Sequence, residues 1–183
     1  MQKSNSKTFT CVGLNSTISI IKSKRFLIEQ ILITKNSKAE KDKKLIRALN
    51  SVKPNFIRKV NDRKFSSRFK TQGVAITFSG DLILNESSGY PNEKDSCLLV
   101  LDQVEDPQNF GQIIRTAECA GIKGIIYSKH HSVPLTETAL QVSQGAFVNM
   151  KFYEVTNIRN ELKKLKKNNF WIVGLENSVN ASL

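Results

Sequence analysis

The second half of the chain alternates between short apolar stretches and amphipathic stretches, with only brief connections between them. This alternation predicts a parallel α/β sheet, because a helix must carry the chain back before the next parallel strand can begin. The predicted strands are Cys97–Val104, Gly124–Ser128, Val148–Val155 and Phe170–Leu175. The predicted helices between them are Asn109–Gly121, Thr136–Ser143 and Ile158–Lys167.

The first half of the chain is strongly basic. Residues 1–80 hold 18 Lys+Arg and 4 Asp+Glu, a net charge of +14, whereas residues 81–183 hold 10 and 12, a net charge of −2. Such asymmetry indicates an RNA- or DNA-holding module joined to another unit. We therefore predict a basic domain over residues 10–80, a linker over 81–96 and a second domain over 97–183. Within the basic domain the pattern predicts helices at Ser16–Ser23 and Lys41–Val52, and strands at Leu27–Thr34, Phe56–Val60 and Val74–Phe78.

The candidate nucleic-acid contacts lie in two places of the basic half. One is the outer face of the Lys41–Val52 helix, and the other is a later run in which basic residues alternate with Phe65 and Phe69, which could stack on bases. The candidates are Lys43, Lys44, Arg47, Arg63, Lys64 and Arg68. Alternatives to these nucleic-acid contacts stay open: each lysine is a solvated charge, and each phenylalanine is a partly buried loop anchor.

Several function classes are excluded by spacing and counts. No two of the nine glycines are separated by one residue, so the dinucleotide G-x-G turn, the G-x-x-x-x-G-K phosphate loop and the G-x-S-x-G elbow are all absent. Three cysteines without a C-x-x-C pair exclude a disulfide framework and a thiolate zinc site, and two histidines are too few for a His-rich metal centre. No apolar run approaches the roughly 18 residues that a membrane span needs.

The segment Leu101–Ser128 carries the candidate catalytic residues. Asp106-Pro107 predicts a turn and Asn109 the N-cap of the following helix. Phe110, Ile113, Ile114, Ala117 and Ala120 are predicted to form its buried face. Asn109 and Gly111 would stand at the carboxyl end of a parallel strand, where α/β folds place ligands, with Gly111 leaving room for close approach and Arg115 one turn further along. The alternative for Arg115 is an exposed ion pair with Glu118.

This segment resembles the first conserved motif of the SpoU (TrmH) family of RNA ribose 2′-O-methyltransferases, D-P-x-N-x-G-x-x-x-R-x-A-x-x-x-G. The matching residues are Asp106, Pro107, Asn109, Gly111, Arg115, Ala117 and Gly121. The stretch Leu135–Met150, with Ser143, Gly145 and Ala146, resembles the S-x-G-A segment that follows in the family. Val12-Gly13 and Gln72-Gly73-Val74-Ala75 resemble the small RNA-binding domain of the branch that methylates a guanosine of 23S ribosomal RNA.

The resemblance implies a small α/β RNA-binding domain followed by the N-terminal half of a parallel-sheet α/β-knot (SPOUT) methyltransferase domain, incomplete at the C-terminus. The family's G-x-E-x-x-G and S-L-N-x-S motifs, which bind S-adenosyl-L-methionine, are absent, so no cofactor-binding residue is assigned. Arg115 and Asn109 are the implied catalytic residues. The resemblance further implies a cytoplasmic enzyme, homodimeric when complete, with ribosomal RNA favoured as its substrate over transfer RNA.

Two other functions remain open at this stage. One is an RNA-binding protein without catalysis, in which the basic domain works and the α/β half is a remnant. The other is a transfer RNA 2′-O-methyltransferase of the same family. By itself the 183-residue chain is expected to be inactive as a methyltransferase, because the cofactor motifs are absent.

Overall fold

Two β-sheets, one in each half of the chain, form the framework of the computed structural model, which describes residues 7–61, 72–84, 89–91 and 96–175. The strands are β1 (Thr8–Val12), β2 (Leu27–Thr34), β3 (Ile57–Val60), β4 (Val74–Ser79), β5 (Ile83–Leu84), β6 (Leu98–Leu101), β7 (Gly124–Ser128) and β8 (Lys151–Val155). The α-helices are α1 (Leu14–Ser23), α2 (Lys38–Lys41), α3 (Lys43–Leu49), α4 (Pro107–Cys119), α5 (Glu137–Val142) and α6 (Ile158–Lys167). Short 3₁₀ helices span Pro54–Phe56 and Ala146–Asn149.

The sheet of the first half has the strand order β1-β4-β2-β3 among the described residues. Strand β4 runs antiparallel to both β1 and β2, whereas β2 and β3 are parallel. The first strand, β1, was not predicted, although Phe9 and Cys11 alternate with threonines and both are buried. Its sequence is short and follows a basic start, so the alternation carries little weight before its pairing with β4 is known.

The predicted helix over Lys41–Val52 is shorter and begins later than expected. Asp42 has extended backbone and caps α3, its Oδ1 accepting a hydrogen bond from Leu45 N at 2.8 Å. The preceding residues form the separate helix α2. A capping carboxylate satisfies a free N–H of the first turn, so the chain changes direction at Asp42 instead of continuing as one helix.

The sheet of the second half is parallel throughout, as predicted, with the order β5-β8-β7-β6 in the described part of the chain. Strand β5 lies inside the segment predicted to be a linker, because two residues are too few to show a strand pattern. Strand β6 is shorter than the predicted Cys97–Val104 and is half-buried throughout, since β7 is its sole described neighbour.

The predicted strand Phe170–Leu175 is wrong. The segment is not assigned as a strand, and Trp171, Val173 and Leu175 are 96%, 84% and 99% exposed. Phe170 and Ile172 do pack against the cluster that includes Ile126 and Leu165. Alternate side chains of the apolar run therefore pack on the α6 side of the structure. Its backbone makes no hydrogen-bond ladder with a described strand, and such a ladder distinguishes a strand from an extended segment.

One hydrophobic core crosses from the first half into the second. Phe147, in the 3₁₀ helix after α5, lies 6.1 Å from the ring of Phe26 and 5.9 Å from that of Phe78, centroid to centroid. Rings at this separation pack favourably, and burial of aromatic surface dominates such contacts. The two halves are thus packed against each other. None of the described helices has both the length and the apolar character that crossing a bilayer requires.

Candidate functional site

Helix α4 carries both candidate catalytic residues, and its start differs from the prediction. Asp106, not Asn109, is the N-cap: its Oδ1 accepts from Gln108 N at 2.8 Å, and Pro107 is the first helical residue. A proline favours this first position because its fixed φ suits a helix and its missing N–H is not needed there. Asn109 therefore lies within the first turn, with its side chain available to solvent.

Gly111 is buried against α5. A Cβ built on Gly111 would lie 2.6 Å from Val142 Cβ and 2.7 Å from the carbonyl oxygen of Ala139. The space that was expected to admit a ligand is thus filled by a neighbouring helix. Phe110, Ile114 and Ala117 are buried as predicted. Ile113 is half-buried, and Ala120 is exposed because it follows the last helical residue.

Asn109 lines an open depression of about 710 Å³ between α4 and the loop that follows β6. The polar side chains around it come from Gln103, Glu105 and Gln112, and its floor is apolar, with Leu99 and Ile113 among the lining residues. Asn109 lies at the carboxyl end of the parallel strands, where ligands bind in sheets of this kind. This placement agrees with the position expected for Asn109, although its capping role is not observed.

Arg115 lies in a second depression, of about 510 Å³, on the adjoining face of α4. Gln112 and Thr116 line both depressions, so Asn109 and Arg115 flank the same stretch of helix without sharing a cavity. No ion pair joins Arg115 to Glu118 within the described residues; instead Glu118 Oε1 accepts a hydrogen bond from Asn149 Nδ2 at 3.0 Å. The ion-pair alternative for Arg115 is therefore not seen, and the guanidinium is exposed.

The candidate basic contacts are placed only in part. Lys43, Lys44 and Arg47 are exposed on one side of α3, whose opposite side buries Leu45 and Ala48. Arg63, Lys64 and Arg68, with Phe65 and Phe69, lie outside the described residues. Of the other basic residues, Arg25 has a structural use: its Nη1 donates to the carbonyl oxygens of Val148 and Met150 at 3.3 and 3.0 Å.

Two glutamines near α1 and α5 have a backbone conformation that the sequence analysis did not predict. Gln72 and Gln144 have φ angles of 53° and 52°, in the left-handed region that few residues other than glycine occupy. Each precedes a glycine that is also left-handed, Gly73 and Gly145. The shared Gln-Gly dipeptide was the available signal, since glycine-containing pairs mark turns.

The described residues contain no group of three His, Cys, Asp or Glu side chains able to hold a metal ion. His130 and His131 are both exposed in the loop after β7. Cys11 is buried on β1, and burial, with the Glu137 carboxylate nearby, raises the pKa of its thiol to about 12. A thiol held neutral in this way is a packing group and a poor nucleophile.

Comparison with known proteins finds similarity in sequence and in fold. Residues 96–182 match the sequence model of the SpoU rRNA Methylase family. A protein of Staphylococcus saprophyticus, named for the TrmH family of tRNA/rRNA methyltransferases, is 45% identical over 84 residues, which are 46% of this chain and 34% of that protein. The chain thus spans about a third of the length of that curated relative.

Solved structures are similar over most of the chain. The SpoU methyltransferase AviRb from Streptomyces viridochromogenes, in complex with AdoMet, has a TM-score of 0.68 at 16% identity, over 88% of this chain and 59% of its own. An RNA 2′-O ribose methyltransferase has a TM-score of 0.68 at 17% identity, over 88% of this chain and 60% of its own. At these identities the likeness establishes the fold, an α/β fold of the SpoU methyltransferase type.

Proposed function

We propose, from the match of residues 96–182 to the SpoU rRNA Methylase family model, that the protein takes part in S-adenosyl-L-methionine-dependent methylation of a ribose 2′-hydroxyl in RNA. Ribosomal RNA is the favoured substrate, with a guanosine of 23S ribosomal RNA as the expected target. The observation that carries the proposal is Arg115, which matches the arginine of the family's first motif and is exposed in a depression without an acidic partner among the described residues.

The proposed role of Arg115 follows from the chemistry of its side chain. A ribose 2′-hydroxyl must lose its proton as it becomes methylated, so the site needs a group that stabilises the developing negative charge on that oxygen. A guanidinium is effectively always protonated, which makes it a poor base and a good hydrogen-bond donor. Arg115 is therefore proposed to donate hydrogen bonds to the 2′-oxygen or to the adjacent phosphate.

Asn109 is proposed to orient the substrate from the other side of α4. Its depression and that of Arg115 meet at Gln112 and Thr116, so a ribose lying over these two residues would reach both side chains. An amide can donate and accept at once, which suits a sugar hydroxyl. The proposal gives Asn109 a positioning role and leaves charge stabilisation to Arg115.

The two depressions beside α4 do not fit S-adenosyl-L-methionine as a bound cofactor. Both depressions beside α4 are open to solvent, and neither surrounds a volume in which an adenosyl group would be buried as small-molecule ligands usually are. When bound, that cofactor supplies an electrophilic methyl group.

The basic half is proposed to hold the RNA. Its exposed lysines and arginine on α3, Lys43, Lys44 and Arg47, present positive charge to solvent, and Arg63, Lys64 and Arg68 are proposed to extend this surface. Phosphate contacts of this kind supply sequence-independent affinity that falls steeply with salt. A cytoplasmic, homodimeric enzyme is part of the same proposal.

The proposal is tested by measuring RNA binding and cofactor binding on the same chain. Fluorescence anisotropy with a ribosomal RNA fragment, at salt concentrations from about 50 to about 200 mM, is expected to show a steep loss of affinity. Replacing Lys43, Lys44 and Arg47 by alanine is expected to reduce the slope of log K against log[salt] by about 2, because each phosphate neutralised on a single strand accounts for roughly 0.7 of that slope. Absence of RNA binding would overturn the proposal.

Calorimetry with S-adenosyl-L-methionine and a methyl-transfer assay separate the two candidate functions. In the complete enzyme, transfer that Arg115→Ala abolishes, at unchanged RNA affinity, supports the catalytic role of Arg115. Equal loss of affinity and transfer would make Arg115 a binding residue. In the complete enzyme, RNA binding without cofactor binding or transfer favours the second candidate, a non-catalytic RNA-binding protein.

A further inference from the structure

Two depressions on the surface meet at Gln144. One is the Arg115 depression, and the other is a smaller pocket of about 110 Å³ at the contact between the two halves. Gln144 lines both of them. We call the combined feature the junction groove; the polar side chains that define it are Asn15 and Gln72 from the first half, and Gln112, Arg115 and Gln144 from the second.

The two sides of the junction groove are held closely together. A Cβ added to Gly145, next to Gln144, would lie 3.0 Å from Ser19 Cβ and 3.1 Å from Ser16 Cα on α1. Gly145 has a φ of 93°, so both the close approach and the backbone conformation favour glycine there. The loop after α5 therefore packs directly on the first half, and the groove is part of the fold's fixed geometry.

Gln144 and Asn15 have side chains free to meet a ligand. Both residues are exposed, and neither amide is hydrogen-bonded to another described residue. By contrast, Gln72 Oε1 already accepts from Leu14 N at 3.0 Å. Gln144 also holds a left-handed φ of 52° without being glycine, asparagine or aspartate. It lies directly after the C-cap of α5, where helices commonly end with a left-handed residue.

The charge of the junction groove suits a polyanion. Arg115 is the charged side chain among its described lining residues, and no acidic side chain lines either depression within the described part of the chain. Amide groups both donate and accept, so they can pair with phosphate oxygens, ribose hydroxyls and base edges alike. One end of the groove is lined by first-half residues from Val12 to Ser16 and by Gln72; the same half carries Lys43, Lys44 and Arg47 on α3, which are proposed to bind RNA.

We propose that the junction groove carries a single strand of RNA from the basic half to Arg115, with Gln144 and Asn15 as the residues that position it. This inference rests on the proposed function, because it assumes that RNA is the substrate. It adds a specific path across the two halves and two positioning residues that lie outside the matched first motif.

The test follows the side-chain amides of the full 183-residue chain while it is titrated with single-stranded RNA. In ¹⁵N–¹H spectra, the NH₂ signals of Gln144 and Asn15 are expected to shift, whereas that of Asn160 is expected to stay in place. Asn160 is a matched control, since it is exposed on α6, which packs on a separate cluster from the one shared by α1, α4 and α5.

Affinity measurements on variants complete the test. Gln144→Gly removes the amide and fits the left-handed backbone, so it is expected to fold normally; Asn15→Ala is its counterpart on the first half. Each is expected to weaken RNA binding by roughly three- to tenfold, the range for a lost hydrogen bond, with Asn160→Ala unchanged. The groove proposal alone is overturned if the wild-type chain binds RNA without shifting the two amide signals and the two variants bind RNA with unchanged affinity. Absence of RNA binding by the wild-type chain overturns the proposed function as well.

Discussion

The side-chain amide of Gln141, on α5, hydrogen-bonds both backbone groups of Val12 on β1. Its Oε1 accepts from Val12 N at 2.7 Å, and its Nε2 donates to Val12 O at 2.8 Å. One helical turn earlier, Glu137 Oε1 accepts from Thr10 N at 2.7 Å. Four helical residues rise about 6 Å and two strand residues about 6.6 Å, so the spacings match. A helix of the second half thus satisfies the edge of the first sheet, where unpaired N–H and C=O groups are a liability.

Removing the Gln141 amide is expected to weaken the packing between the halves. Gln141→Ala leaves two half-buried backbone groups without these partners, so we expect the free energy of unfolding to fall by about 1–3 kcal/mol. Gln141→Glu keeps the acceptor but removes the donor to Val12 O, so its free energy of unfolding should lie between those of the wild type and Gln141→Ala. Urea unfolding followed by circular dichroism measures the change. The control is Gln108→Ala on exposed helix surface; equal losses of stability in the two variants would show that the hydrogen bonds to Val12 contribute nothing of their own.

Gly111 is expected to resist substitution because of Val142. In Gly111→Ala the new methyl group would overlap Val142 Cβ and the Ala139 carbonyl oxygen, forcing α4 and α5 apart at a cost of about 1–3 kcal/mol. Val142→Ala removes Val142 Cγ1, which would lie 2.9 Å from the new methyl group, so the double variant should lose less stability than the sum of the two single variants. Thermal unfolding of the four proteins measures this coupling, and strictly additive losses would contradict the packing role of Gly111.

Elements with a strong pattern were predicted well from the sequence. The bounds of β2, β7 and α6 match their predictions residue for residue, because each has a long apolar run or a clear helical face. The sequence pattern is not sufficient where strand pairing decides the structure. Strand β1 was missed, and Phe170–Leu175 has the composition of a strand but no described partner. A single chain segment does not reveal which edge will be available to it, and strand formation depends on that edge.

The candidate site was predicted in part for a similar reason. The position of Arg115 on an exposed helix face follows from the spacing of buried residues in α4. That spacing does not predict that Val142 fills the space at Gly111, because this contact requires α5 to cross α4 at that point. Gln144 was missed because its placement depends on Gly145 packing against α1, more than a hundred residues earlier in the chain.

Arg25 is expected to stabilise the packing between the halves from a second position. Its Nη1 donates to the carbonyl oxygens of Val148 and Met150, and its guanidinium carbon lies 5.3 Å from the centre of the Phe26 ring. Partial burial lowers the pKa of Arg25, but an arginine stays charged over the ordinary pH range. Arg25→Met should therefore lower the free energy of unfolding by about 1–2 kcal/mol, less than the removal of a fully buried charged hydrogen bond would.

The matched control for Arg25 is Lys22→Met, which removes one positive charge from the exposed last turn of α1. Denaturant unfolding at low and high salt separates the effect of charge from that of the hydrogen bonds. A loss of stability confined to Arg25→Met and insensitive to salt supports the role of the two carbonyl partners. Equal, salt-dependent losses in both variants would mean that Arg25 acts through net charge.

Cys11 is expected to react far more slowly than the other two thiols. Cys97 and Cys119 are exposed, whereas Cys11 is buried and burial raises its pKa to about 12, helped by the Glu137 carboxylate. At a pH of about 8 an unfolded thiol is partly ionised, but that of Cys11 in the folded protein is almost wholly neutral. A disulfide reagent should modify two thiols of the native chain quickly and the third only in denaturant; three equal rates would contradict the burial.

The same shift in pKa makes stability depend on pH in one direction. Because the folded pKa of Cys11, about 12, lies above that of the unfolded thiol, its contribution is fully present below the unfolded pKa and is lost as pH rises towards 12. The free energy of unfolding should therefore decline between pH values of about 8 and 10, and Cys11→Ala should decline less steeply. Glu137→Gln removes the smaller cause of the raised pKa, so between these pH values its decline should match that of the wild type. Parallel slopes in the wild type and Cys11→Ala would show that Cys11 is not the group that titrates.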